Sequence, residues 1–107
     1  MFDGWSNPPE IEIFREVDRA VVVRSHEVFG SGAGAHQLSL APRLAREHGL
    51  VVRSMHEGRQ VAWVRLSTGI WVGAITLEAQ TADGLNSVSM NLWLQRHQFQ
   101  LPHRDYR

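Results

Sequence analysis

The chain has 107 residues, 43% of them hydrophobic, and its 11 basic and 11 acidic residues give a formal net charge of zero. A chain of this length buries roughly two thirds of its unfolded surface, which suffices for one hydrophobic core but not for two domains. The absence of cysteine excludes a disulfide scaffold, a thiolate metal site and a cysteine nucleophile. The longest apolar run falls far short of the ~20 residues of a membrane span. No secretory signal is recognisable, so we expect a cytoplasmic protein.

All 11 basic residues are arginine, and the chain contains no lysine. This bias is typical of a GC-rich coding source, such as an actinobacterium or one of its phages. The balanced charge argues against binding of nucleic acid through a strongly positive overall field, whereas a local patch of arginines stays compatible with such binding.

The first half of the sequence predicts an arm, a hairpin and a short helix. Residues 1–9 contain two consecutive prolines and are expected to be an irregular N-terminal arm. Residues 10–29 alternate in polarity and then become β-branched, which predicts a β-hairpin. Residues 38–48 have helical spacing, with Ser39 as N-cap and Gly49 after the last turn. A helix this short is expected to dock on a sheet.

Residues 50–102 predict a meander of antiparallel strands. The expected strands cover residues 50–55, 60–66, 70–79 and 87–94, and a turn at residues 57–59 separates the first two. In the last strand Val88, Met90, Leu92 and Leu94 point to one face, and Ser87, Ser89, Asn91, Trp93 and Gln95 to the other. Residues 1–107 are therefore predicted to form a single α+β domain, in which a mainly antiparallel, partly closed, barrel-like sheet carries one short helix.

Glycine and tryptophan recur at short spacings in the second half. The pattern is Gly58-x-x-Val61-x-Trp63, Gly69-x-Trp71-x-Gly73-x-Ile75, Asp83-Gly84 before Val88-x-Met90, and Phe99-x-Leu101-Pro102. Over residues 58–102 it resembles a small β-barrel of the Tudor or Src-homology-3-like type. The resemblance implies a barrel architecture and a non-catalytic binding role. Thr68 and the stretch Leu94-Gln95-Arg96 depart from the Tudor pattern and argue against an aromatic cage for methylated ligands.

Three glycines, Gly30, Gly32 and Gly34, separate the predicted hairpin from the predicted helix. Backbone N–H groups of such a loop can bind phosphate at a helix N-terminus, as acetyltransferases of the Gcn-five-related class do with acyl-CoA. The basic residue that usually precedes those glycines is replaced here by Val28 and Phe29. A flexible connector is therefore the favoured interpretation of these glycines. An acyl-CoA-binding, acetyltransferase-like protein is kept as the least favoured of three functions.

Four histidines lie in the middle of the chain and three have a glutamate next to them: His26, His36, His48 and His56, with Glu27, Glu47 and Glu57. None makes the i, i+4 pair that places two metal ligands on one helix face, and neighbours in a strand point to opposite faces. We therefore expect hydrogen-bonded or surface histidines, no metal site and no cofactor. No serine lies in a recognisable nucleophile elbow, so the sequence predicts no enzyme.

A winged-helix-like DNA-binding regulator is the second alternative. Residues 40–49 would be its recognition helix and residues 50–66 its wing. Its phosphate contacts would be Arg43, Arg46, Arg53, Arg59 and Arg65. The strand-like pattern of residues 11–29 argues against it, because a winged helix needs two further helices there. Clustering of these arginines on one face would favour DNA, and their dispersal would favour a protein partner.

Tryptophan is frequent in this chain, with four residues in 107. Trp71 is expected in the core, whereas Trp93 lies between Asn91 and Gln95 on the predicted outer face of its strand. An indole among uncharged polar side chains is typical of an interface hot spot. We therefore predict a small interaction module that uses Trp93, Asn91, Gln95 and the arm. It would bind a protein partner or a second copy, and no membrane, as in a phage or actinobacterial assembly or regulatory protein.

Overall fold

The computed structural model describes residues 2–30 and 42–102. Their elements are β1 (Phe14–Arg24), α1 (Ser25–Phe29), α2 (Arg43–His48), β2 (Met55–Arg65), β3 (Trp71–Gln80), β4 (Ser87–Gln95), a 3-10 turn (Arg96–Gln98) and β5 (Phe99–Gln100). The strands form one five-stranded antiparallel sheet in the order β4-β3-β2-β1-β5. The predicted class, a mainly antiparallel sheet with little helix, is thus confirmed. None of the helices in the described ranges is long and apolar enough to cross a membrane.

The hairpin predicted over residues 10–29 is wrong, because this segment contains one long strand, β1, followed by α1. β1 pairs with β2 along its whole length, and the expected turn is an irregularity of that pairing between Glu16 and Arg19. An irregularity of this kind inserts residues into one strand while the ladder continues on either side. Polar residues at a bulge and at a turn look alike in sequence.

The turn predicted at residues 57–59 also lies inside a strand. β2 runs unbroken through Gly58, which pairs with Val21 on one side and Leu77 on the other. A Cβ at this position would lie 3.0 Å from the carbonyl oxygen of Thr76 and 3.2 Å from Ile75 Cγ2. Glycine therefore serves here to let neighbouring strands approach closely rather than to reverse the chain.

The strands predicted at residues 70–79 and 87–94 are present as β3 and β4. In β4 the predicted alternation is observed, since Leu94 is buried and Trp93 is exposed. Residues 72–75 of β3 are all buried, because β3 lies between β2 and β4 and both its faces are covered.

The helix predicted over residues 38–48 is observed as α2 at its C-terminal end, while residues 38–41 lie outside the described ranges. Over its described residues the expected docking is not observed, because α2 buries no residue and Leu44 is 61% exposed. α2 is instead tied to the sheet through polar contacts at its end. His48 Nδ1 lies 2.7 Å from Asp83 Oδ2, and the backbone N–H of Ala82 donates to the carbonyl of Gly49 at 2.9 Å.

Two apolar clusters lie on opposite faces of the sheet, as the alternation along β3 requires. The first consists of Val21, Val23, Ile75, Leu77, Ala79, Leu94 and Phe99. The second consists of Ala62, Val64, Val72 and Ala74, covered by Phe2, Phe14 and Val61. Both faces of the sheet therefore carry packed side chains.

The connection from β4 to β5 makes the sheet curl. In a flat sheet these two edge strands would be separated by four strand spacings, about 19 Å. Four residue steps from Gln95 to Phe99 reach at most about 14 Å. β5 nevertheless pairs with β1, with Phe99 opposite Val23. The sheet therefore wraps around the first cluster, and the ring of Phe99 covers Gly73, where a Cβ would lie 2.7 Å from Phe99 Cζ.

We expect Gly73→Ala to destabilise the fold by about 1–3 kcal/mol, because the added methyl group would overlap the Phe99 ring. Urea unfolding of the two proteins measures this difference. In a Phe99→Leu background the same glycine substitution should cost less, since the overlapping ring atoms are gone. A cost below about 0.5 kcal/mol in the natural background would contradict the close approach.

Candidate functional site

Four aromatic side chains pack together over the second cluster, and we call them the aromatic patch: Phe2, Trp5, Phe14 and Trp93. The Phe2 ring centroid lies 5.3 Å from that of Trp5, 4.9 Å from that of Phe14 and 5.8 Å from that of Trp93. Trp5 and Trp93 each remain 46% exposed. The patch therefore presents two half-open indoles, supported by two phenyl rings.

The arm holds its aromatic residues in place through local hydrogen bonds. A turn closed by the N–H of Trp5 donating to the carbonyl of Phe2, at 3.1 Å, brings the two rings together. Gly4 occupies this turn at φ 78°, a conformation that favours glycine. Asn7 Oδ1 accepts from the N–H groups of Ile13 at 2.7 Å and Phe14 at 2.9 Å. Asn7 Nδ2 donates to the carbonyl of Phe14 at 3.0 Å, so one amide fastens the arm to the start of β1.

The three residues predicted to bind a partner have different surroundings. Trp93 contacts Phe2 within the aromatic patch. Asn91 lies next to Thr76 on the same face, with 3.4 Å between Oδ1 and Oγ1. Gln95 caps the 3-10 turn, in a reciprocal pair of hydrogen bonds with Gln98. Sequence reasoning missed Phe2, Trp5 and Phe14, although three aromatic residues in and beside a short arm were the available signal.

A groove of about 660 Å³ lies on the opposite face, where the start of β3 meets the 3-10 turn. We call it the arginine groove after Arg15, Arg65 and Arg96, which line it together with Trp63 and Trp71. The Arg96 guanidinium carbon lies 5.9 Å from the Trp63 ring centroid, and that of Arg65 lies 5.7 Å from the Trp71 ring centroid. Trp71, expected in the core, is therefore a half-buried wall of this groove.

The arginines proposed for DNA contact are dispersed. Arg43 and Arg46 lie on α2, and Arg53 lines a second groove together with Arg59. Arg59 Nε donates to Asp18 Oδ1 at 2.6 Å, whereas Arg65 belongs to the arginine groove on the other face. The wing predicted over residues 50–66 is wrong, because β2 is a single strand and not a hairpin.

The histidines have hydrogen-bonding or surface roles where the structure describes them. His56 is buried; its Nε2 lies 2.7 Å from the carbonyl of Glu78, and its Nδ1 accepts from the N–H of Arg53 at 3.2 Å. His26 is exposed beside Glu27. In residues 2–30 and 42–102 no three His, Asp or Glu side chains form a group suited to a metal ion.

The predicted glycine loop lies mostly beyond the described residues. Gly30 ends α1 with φ 67°, while Gly32, Gly34 and His36 fall outside the described ranges. The connector that the sequence favours for this segment therefore stays a prediction, and binding of a phosphate by it stays the alternative.

Asp83 organises the turn between β3 and β4. Its carboxylate accepts from Thr81 Oγ1 at 2.6 Å and from the N–H of Leu85 at 3.0 Å, and it pairs with His48. The hydrogen bond from Thr81, followed by those from His48 and Leu85, lowers the pKa of Asp83 to about 2. The ionised carboxylate thus joins the end of α2 to this turn.

Comparison of the chain with known protein families, with curated proteins and with solved structures found no match. The aromatic patch and the arginine groove are therefore the features from which function has to be argued. They lie on opposite faces and differ in chemistry, since one is aromatic and uncharged and the other is cationic.

The depressed pKa of Asp83 predicts a defined pH dependence. The carboxyl of the unfolded chain has a pKa of about 3.9, so its ionised form stabilises the fold above about pH 4. This contribution is lost as the pH falls towards the folded pKa of about 2. Asp83→Asn should therefore lower the melting temperature at pH 6, and the difference from the natural protein should shrink between about pH 4 and pH 2. Thermal melts of both proteins, with Asp3→Asn as a control in the arm, measure this; a difference that does not vary with pH would contradict it.

Proposed function

We propose that this chain is a non-enzymatic interaction module that binds a protein partner through the aromatic patch. The observation that carries the proposal is a pair of half-exposed indoles. Trp5 and Trp93 are each 46% exposed, and both contact the ring of Phe2. Tryptophan is among the residues most enriched at binding hot spots, and apolar patches that stay open to solvent commonly mark interaction sites.

The support beneath the indoles favours binding at low cost. Trp93 lies on the edge strand β4 and is paired to Ala74 of β3, and Phe14 belongs to β1, which is paired to β2. Asn7 fastens the segment that carries Phe2 and Trp5. Side chains that are already ordered lose little conformational entropy on association, so more of the contact energy is available for affinity.

The proposal includes a partly closed, barrel-like architecture of the Tudor or Src-homology-3-like type. It is supported by the curl that the short β4–β5 connection imposes and by the pairing of β5 with β1. A small barrel that presents one face to a partner agrees with a binding role without catalysis or cofactor. We also propose that the protein acts in the cytoplasm in assembly or regulation. Its arginine-only basic composition supports an actinobacterial or phage source and carries no weight for the function.

Dispersal of the arginines supports a protein partner over DNA. Arg59 and Arg65 lie on opposite faces, and Arg59 is paired with Asp18. We therefore expect any binding of duplex DNA to be weak and to fall steeply with salt. Fluorescence anisotropy with a labelled duplex between 50 and 200 mM salt would measure it. Nanomolar, sequence-selective binding at physiological salt would reverse the ranking of the two functions.

Substitution of the exposed indoles tests the aromatic patch. We expect Trp93→Ala and Trp5→Ala to keep the circular dichroism spectrum and to weaken association with the partner by at least about tenfold, equivalent to ~1.4 kcal/mol. Leu85→Ala is the matched control, because Leu85 is 79% exposed and lies in the turn that precedes β4, beyond Ser87, which is about 20 Å from Trp93 along the strand.

Two measurements carry this test. Pull-down from the native source with nuclease treatment identifies proteins held by the natural chain and by Leu85→Ala but lost by the tryptophan variants. Sedimentation velocity on the purified proteins detects self-association, in which case the partner is a second copy. A partner that binds all variants equally would place the interface elsewhere. If Trp93→Ala unfolds, Trp93 belongs to the core, and Trp5→Ala then decides.

A further inference from the structure

We propose that the arginine groove is a second binding site and that its ligand is an acidic segment of a protein chain. The site lies on the face opposite the aromatic patch and uses charge rather than exposed indoles. It goes beyond the function proposed above, and it can hold or fail independently of it. A chain with both sites would connect two protein surfaces.

The charges that line the groove are unbalanced in favour of the cations. Three guanidinium groups, those of Arg15, Arg65 and Arg96, face one carboxylate, that of Glu12. Glu12 is engaged with Arg15, whose Nη2 and Nε lie 2.7 and 3.3 Å from its two oxygens. Among the described residues neither Arg65 nor Arg96 has a carboxylate within salt-bridge distance. In a chain of zero net charge, two guanidinium groups without counter-charge thus share one groove.

Indole rings hold both of these guanidinium groups in position. Arg96 lies over Trp63, and Arg65 lies over Trp71. A ring contacts the flat face of a guanidinium group, and the N–H donors lie in the plane of that group. These donors match the two oxygens of a carboxylate, which they bind bidentately. The cation–π attraction therefore favours these positions of the two arginines without using their N–H donors, and the donors that make no hydrogen bond within the chain can bind an anionic ligand.

The groove also has an apolar wall, and its volume suits the side chains of a bound peptide segment. Ile70 is 49% exposed and lies beside Trp71 in the lining. A volume of about 660 Å³ accommodates a few residues of an extended segment. The lining therefore favours a ligand in which carboxylates alternate with apolar side chains, as in an acidic segment of a protein.

Nucleic acid fits the same groove less well. Binding of single strands depends on bases that stack on aromatic faces and on a positive field along the backbone. The guanidinium carbons of Arg19 and Arg96 lie 5.8 and 5.9 Å from the Trp63 ring centroid, so a base that stacks on this ring would compete with two arginines. The chain as a whole has no net charge, so it offers no extended positive field to a nucleic-acid backbone. A short segment that combines carboxylates with apolar side chains is therefore preferred over a long polyanion.

Fluorescence polarisation with a short labelled peptide that contains Glu-Leu-Asp-Glu-Phe tests this site. We expect micromolar binding to the natural protein and at least about tenfold weaker binding of the counterpart with glutamine and asparagine in place of the acids. Arg96→Gln and Arg65→Gln should each weaken binding of the acidic peptide at least about fivefold. Arg59→Gln is the matched control, because that arginine lies on the other face and should leave binding unchanged.

Further outcomes separate the inference from its alternatives. Equal binding of the acidic and amide peptides, or no effect of Arg96→Gln, would overturn it. Tighter binding of a labelled oligothymidylate that also depends on Arg96 would assign the groove to nucleic acid instead. Arg65 also donates to the carbonyl of Gly69 at 3.1 Å, so if Arg65→Gln unfolds, Arg96→Gln decides. Trp93→Ala should bind the acidic peptide normally, which keeps this test independent of the aromatic patch.

Discussion

Contact between the Phe99 ring and the bare backbone of Gly73 is the constraint on which the rest of the architecture depends. It places β5 beside β1, although β5 follows directly on β4 at the other edge of the strand order. The sheet has to curl to satisfy both requirements. Curling creates an inner face filled by the first apolar cluster and an outer face that the arm covers in part. The 3-10 turn that makes this connection also carries Arg96 to the rim of the arginine groove.

The two faces acquire different chemistry because different segments complete them. The outer face is completed by the arm, which contributes two aromatic rings to the aromatic patch. The arginine groove is completed by the 3-10 turn and by Arg15 near the start of β1. In each case a short irregular segment adds side chains to positions on paired strands. Both surfaces thereby combine the rigidity of the sheet with residues that alternation along a strand could not place together.

Sequence patterns predict the parts of this fold in which a single strand has a regular period. β4 was predictable from its alternation and β3 from its continuous apolar run, and the Asp83-Gly84 turn between them is also a local signal. Gly58 and the bulge near Asp18 were misread as turns, since the close approach of neighbouring strands cannot be recognised from one strand alone. The arginine groove could not be predicted, because Trp63 and Arg96 come from distant parts of the chain. Trp93 was identified by its outward position, but its contact with Phe2 depends on how the arm folds back.

The amide of Asn7 has a consequence for the cooperativity of unfolding. Its three hydrogen bonds are the main polar attachment described for an arm that has no place in the strand ladder. A segment held in this way can detach at a lower free energy than the whole sheet, as a separate unit of local opening. Detachment would remove Phe2 from the second cluster, which would then be covered by Phe14 and Val61 alone. The hydrogen bonds of Asn7 therefore determine how often the arm detaches and exposes more of the outer face to other chains. Hydrogen exchange at the N–H groups of Ile13 and Phe14 measures how often the arm detaches.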